Sequence, residues 1–202
     1  MEGSKSATGI IIFFIILLIA FTAFIFIRES SKIEAIVFDY NGFDIQKVDN
    51  GAVPMYRIKI FINQGQEPFF ITMRHDPRNI EEITIEDNLK EKILKKELFV
   101  TMEPNATGLS VIAGTEISKI IGSPFLFNVP THGALLRDAG NNAPVRTCAD
   151  VNETTSIIKL QVGNENKIYS EGDCLIVEAN DEVNLTKAAD RLALTLLGVM
   201  KG

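Results

Sequence analysis

Tryptophan is absent from this chain, and cysteine and histidine occur only twice each among its 202 residues. Each scarcity closes off some chemistry. His75 and His132 lie far apart, and neither has Cys, Asp or Glu at a recognisable metal-ligand spacing. No Gly-rich phosphate loop and no Gly-x-Ser-x-Gly elbow occurs, so no catalytic, cofactor-binding or metal-ligating residue is assigned from sequence. Cations never gather into a block longer than Lys95-Lys96, and the net charge is −6. Nucleic acid and anionic lipid therefore lack an electrostatic footprint.

What is abundant is concentrated at the N-terminus. After a short tail over 1–9, residues 10–27 read IIIFFIILLIAFTAFIFI, with Thr22 the only polar side chain and no charge. At 1.5 Å per residue such a helix reaches ~27 Å, and its fifteen strongly apolar residues favour insertion by ~4 to 9 kcal/mol. The run predicts a transmembrane helix, a signal anchor that makes the chain a single-pass membrane protein. Two alternatives compete with it. A cleaved signal peptide has a shorter apolar stretch and small residues at its end, where this chain has Phe24, Phe26 and Ile27. A buried core helix would rarely be apolar on every side.

Sidedness is less clear from charge. Lys5 precedes the run, and Arg28 and Lys32 follow it, so positive-inside counting nearly ties. Cys148 and Cys174 are a candidate disulfide, which would need an oxidising compartment; the alternative is two small buried hydrophobes. Asn105, Asn152 and Asn184 each open an Asn-x-Thr sequon and are glycosylation candidates. Together these place the domain over 33–202 outside the cytoplasm.

The domain reads as mixed α/β. The stretch 33–80 predicts a β-meander: a strand over 33–38, turns at Asp39–Gly42 and Asp49–Gly51, an alternating strand over 56–62, a turn at Gln64-Gly65, and a strand over 69–73 halted by Pro77. Over 87–122 the period changes. A helix over 88–96 capped by Asp87 precedes a strand over 98–102 and a helix over 109–121, capped by Thr107 and stopped by Gly122. Residues 123–144 are loop-like, with a short strand over 125–129 and an exposed tip at 138–142. The unit 145–200 predicts a hairpin of 156–162 against 167–169, a strand over 174–178, and a helix over 182–200. Its buried stripe runs through Leu185, Ala188, Ala189, Leu192, Leu196 and Val199. Sliding the chain by 76 residues lays 98–122 over 174–198. Two such strand-helix units place parallel strands side by side with both helices on one face.

Tyr40-Asn41-Gly42-Phe43, Arg74-His75-Asp76-Pro77-Arg78, the strand from Cys174, Lys187-Ala-Ala-Asp-Arg-Leu and Leu197-Gly198 carry a resemblance over most of Tyr40 to Met200. The chain resembles uncharacterised archaeal proteins with one N-terminal anchor and a Cys pair in the C-terminal half. That resemblance implies an archaeal membrane protein, and no activity.

Remaining motifs have plain readings. His75-Asp76 before Pro77 fits a strand-end turn better than an acid/base pair, and His132 fits a solvated loop position. Asp39 to Asp44 looks like a calcium loop but lacks the alternating oxygens and the closing Glu. The expected function is a membrane-anchored extracytoplasmic envelope protein, held in the bilayer by 10–27. It would act in binding or assembly with an envelope partner, through the 123–144 loop first, and not on nucleic acid. The alternatives are an extracytoplasmic hydrolase using carboxylates or His75, and a pilin-like filament subunit, which lacks a processing site here.

Overall fold

The computed structural model describes residues 13–24, 36–49, 51, 53–63 and 65–202, and divides the chain into two compact units, 1–35 and 36–202. In the first unit a helix, α1, covers 13–24. Twelve residues rise only ~18 Å, and among the described residues no helix is long and apolar enough to cross a membrane. Of the expected 10–27 span, the described residues show 13–24 as helix. Residues 10–12 and 25–27, together with the 1–9 tail, lie outside the described residues, as does the start of the strand expected from 33.

The second unit opens with four antiparallel strands in chain order: β1 (Ile36–Tyr40), β2 (Phe43–Asp49), β3 (Pro54–Ile62) and β4 (Glu67–Met73). Asn41 and Gly42 take left-handed φ of 52° and 84°, which gives the β1–β2 hairpin its two-residue turn. Strict alternation on β3 buries Tyr56, Ile58 and Ile60 and sends Arg57, Lys59 and Phe61 outward. Asp76 then caps a 3₁₀ turn over Pro77–Asn79 by accepting from the Arg78 N–H.

The second sheet has six strands: β5 (Thr84–Ile85), β6 (Glu97–Met102), β7 (Thr131–Leu135), β8 (Thr155–Val162), β9 (Lys167–Glu171) and β10 (Cys174–Ala179), in the order β5-β9-β10-β8-β6-β7. The expected hairpin of β8 with β9 is wrong. β10 lies between them, parallel to β8 and antiparallel to β9. The reason is burial, since all six residues of β10 are inaccessible and a strand without a wet side belongs at the centre of a sheet. β8 also separates β6 from β10, so the two strand-helix units are parallel but not adjacent. The strand expected at 125–129 is a turn, and the real edge strand is β7.

Three helices complete the unit. The short α2 (Leu89–Ile93) starts at Asn88, whose φ of 61° replaces the expected Asp87 cap. In α3 (Gly108–Ile121) the Thr107 hydroxyl accepts from the Leu109 N–H, and the helix ends at Gly122 as expected. In α4 (Glu182–Leu196) Asp181 accepts from the Asn184 N–H, and Gly198 at φ 76° closes the end earlier than the predicted 200.

The pair α3 and α4 lies between the two sheets. Gly114 of α3 sits against Val100, Met102 and Leu160 of the six-stranded sheet. On the opposite side Glu116 and Lys119 reach Arg74 and Thr72 of the meander. One continuous core joins Ile45, Ile58 and Met73 to Ala189 and Leu192, and on to Ile158 and Val177. A smaller apolar cluster of Phe99, Ile157 and Ile176 fills the outer face of the second sheet, beneath the chain around Cys148 and Val151.

Candidate functional site

Because α4 is covered on both sides, its polar residues must find partners inside the protein. Asp190 is fully buried, and its Oδ2 accepts from the backbone N–H groups of Arg74 and His75 at 3.0 and 2.9 Å. The same oxygen lies 2.9 Å from His75 Nδ1. A carboxylate accepts, so Nδ1 carries the proton and Nε2 is the ring nitrogen left over. Asp190 Oδ1 has no hydrogen-bond partner among the described residues.

Around this pair the charges are matched. Arg74 Nε donates to the buried Glu116 at 3.1 Å, and Lys119 ion-pairs with the same carboxylate. Arg78 forks onto Asp76 through its Nε and Nη2 and stacks 3.8 Å over the Phe38 ring. Burial alone would raise the Asp76 pKa, but the hydrogen bonds and charge of Arg78 outweigh it and hold this carboxyl below its ordinary range. Burial and the facing Asp76 charge push the Tyr56 hydroxyl up. Tyr40 rises to about 12 through burial and the neighbouring Glu81.

Above His75, between β3 and the first turns of α3 and α4, a cleft of 660 Å³ opens. Its polar lining includes Tyr56, Arg74, His75, Asp76 and Lys187, and its apolar lining Val53, Leu109, Ile112 and Val183. Lys187 makes no hydrogen bond or ion pair with any described residue. A second, smaller cleft of 310 Å³ lies at the carboxyl ends of β6 and β8, where open α/β sheets commonly bind ligands. There, however, the N–H and hydroxyl of Thr107 already bind the Glu182 carboxylate, so the amino end of α3 is filled from within. On the far sheet face Glu178 accepts from Gln161, Tyr169 and the Asn164 and Glu165 N–H groups. Burial opposes ionisation, but these donors outweigh it and keep the carboxyl below its usual range.

The structure distributes the sequence candidates as follows. Cys148 and Cys174 are bonded, with their Cα atoms 5.3 Å apart, and the bridge fastens the outer loop to the central strand β10. Asn105 is exposed and its side chain binds no described residue. Asn152 is tied to Asp150 and Thr154, and Asn184 to Asn180 and Asp181, so a glycan on either would break existing bonds. His132 stacks on Phe99 with ring centroids 5.1 Å apart, on the sheet face away from His75. Asp39 accepts from the Gly42 N–H, an ordinary Asx turn. In the 123–144 stretch Phe125 is strongly exposed and packs on Phe69.

Sequence reasoning missed Asp190 as the partner of His75, although one signal was there. The pair Asp190-Arg191 interrupts a run of Ala and Leu that is apolar on nearly every side of the helix, and such charges must be paired. No family model, curated protein or solved structure matches the chain.

Proposed function

We propose that this chain is a membrane-anchored extracytoplasmic envelope protein whose α/β domain binds a ligand or partner through the cleft above His75. The uncharged apolar run over 10–27 supports the anchor, and the Cys148–Cys174 bond supports an oxidising location. The resemblance of the motifs around Arg74 and Cys174 favours an archaeal envelope.

One observation carries the binding reading. The cleft is lined by side chains already fixed through buried partners, yet it leaves Lys187 and His75 Nε2 unengaged. Pre-oriented polar groups beside apolar walls are what binding sites are made of. Two measurements test it. The intact protein should sediment with membranes and resist carbonate extraction, and a membrane-impermeant thiol reagent should label Cys148 and Cys174 only after reduction. A photo-crosslinking residue at Val53 should yield an adduct of defined mass in cells, while one at Val162 should not. Equal adducts, or none from Val53, would remove the cleft from the proposal.

The hydrolase reading keeps one specific support: a His held through Nδ1 by a buried carboxylate is half of a base-orienter arrangement. Under that reading His75→Ala abolishes any peptide or glycan hydrolysis shown by the purified chain. Turnover that survives the substitution ends it.

A further inference from the structure

The His75 cleft is positive in a negative protein. Its floor and immediate surroundings hold Asp76, Glu116 and Asp190 as acids. Against them stand Arg74, Arg78, Lys119 and Lys187, with Lys47 close enough to act on Asp76. Of the charged side chains that line the cleft itself, Arg74 and Lys187 stand against Asp76, an excess of one before His75 is counted, although the whole chain carries −6. The carboxylates are also spoken for. Asp76 is forked by Arg78, Glu116 is held by Arg74 and Lys119, and Asp190 is closed off below His75. The Nη groups of Arg74, Nε2 of His75 and Nζ of Lys187 have no hydrogen-bond partner among the described residues.

The walls carry a second preference. Val53, Leu109 and Val183 are 47%, 38% and 54% exposed, three large apolar side chains left in water around one opening. Ile112 continues that surface inward. A volume of 660 Å³ falls within the range of small-molecule pockets. A bare inorganic anion would leave those walls wet, and a neutral apolar molecule would leave the cations unanswered.

Resting on the binding reading above, we propose that this cleft takes a small amphipathic carboxylate: one anionic head on an alkyl or aryl body. The head meets the Arg74 Nη groups and Lys187 Nζ beside the His75 ring, and the body lies along Leu109, Ile112 and Val183. A single charge matches the local excess, and the flat fork of Arg74 suits a carboxylate.

The scarcity of histidine makes the test direct. In the full chain held in lipid nanodiscs, proton NMR shows two ring Hε1 resonances, and His132, across the second sheet, serves as the internal reference. Titration with 4-phenylbutanoate should shift the His75 resonance and leave His132 still. Acetate and 4-phenylbutanol should each need about tenfold more to do the same, the step expected from losing one favourable set of contacts. Lys187→Ala should weaken the 4-phenylbutanoate response by about tenfold, the size of one charge-assisted hydrogen bond. Lys159→Ala, outside the cleft, should leave it unchanged. Equal responses to the acid and the alcohol would overturn the anionic head, and equal responses to acetate would overturn the apolar body. A stronger response to phenyl phosphate would overturn the carboxylate. Silence from every probe would overturn the ligand class, while the Val53 crosslink would still report whether the cleft binds anything.

Discussion

The two sheets are built by opposite rules. In the meander every strand pairs with its chain neighbour, and each hairpin is closed by a local turn such as Asn41-Gly42. In the second sheet two pairs are chain neighbours, β9 with β10 as a hairpin and β6 with β7 in parallel across the intervening α3, and β10 pushes between strands that a local reading joins. The first arrangement is written in adjacent residues. The second is decided by which strand can afford no solvent at all.

This contrast can be broken at several points. Cys148→Ser removes the covalent hold on β10. For a 26-residue separation the loss should be ~3 to 4 kcal/mol by chain entropy, read as a lower denaturant midpoint that reductant reproduces in the parent. Amide exchange should accelerate more in β8 and β10 than in β3; equal acceleration would show that both sheets open as one unit. Next in size, Asp190→Ala strands the N–H groups of Arg74 and His75 and should cost ~2 to 3 kcal/mol, with exchange in β4 rising first.

Acid should attack the same junction. Asp76 has a folded pKa below its unfolded one, so its contribution is complete above the unfolded value, near pH 4, and is lost as pH falls through the folded value. Asp76→Asn should cost ~1 to 2 kcal/mol at neutral pH and flatten the acid limb of a thermal melt. Smallest of all, Phe70→Ser on the open face of the meander, where Arg57 stacks over the ring at 4.1 Å, should change stability by no more than ~0.5 kcal/mol.

Most elements could be read from the residues, and their arrangement only partly. Alternation on β3, the Thr107 cap and the apolar stripe of α4 are local signals, and each element lies close to its expected bounds. Strand order in the second sheet depends on contacts between residues far apart in the chain, which periodicity does not encode. The helix at α2 came out shorter mainly at its end, where the Lys96 N–H turns to the distant Thr154 carbonyl, while its start moved by one residue because Asn88 takes the left-handed conformation. At the site, His75 beside Asp76 and Pro77 reads as a turn residue from local sequence. Its meaning depends on Asp190, which lies 115 residues away. The Cys148 to Cys174 pairing was within reach because only two thiols exist.

The sandwiched position of α4 carries a cost in time. The meander is the first part of this unit to leave the ribosome, and its inner row of Tyr56, Ile58 and Ile71 gains its cover from a helix translated more than a hundred residues later. Until then that face is greasy and unprotected, a state that invites association with other nascent chains. Completion of this domain therefore waits on the synthesis of α4.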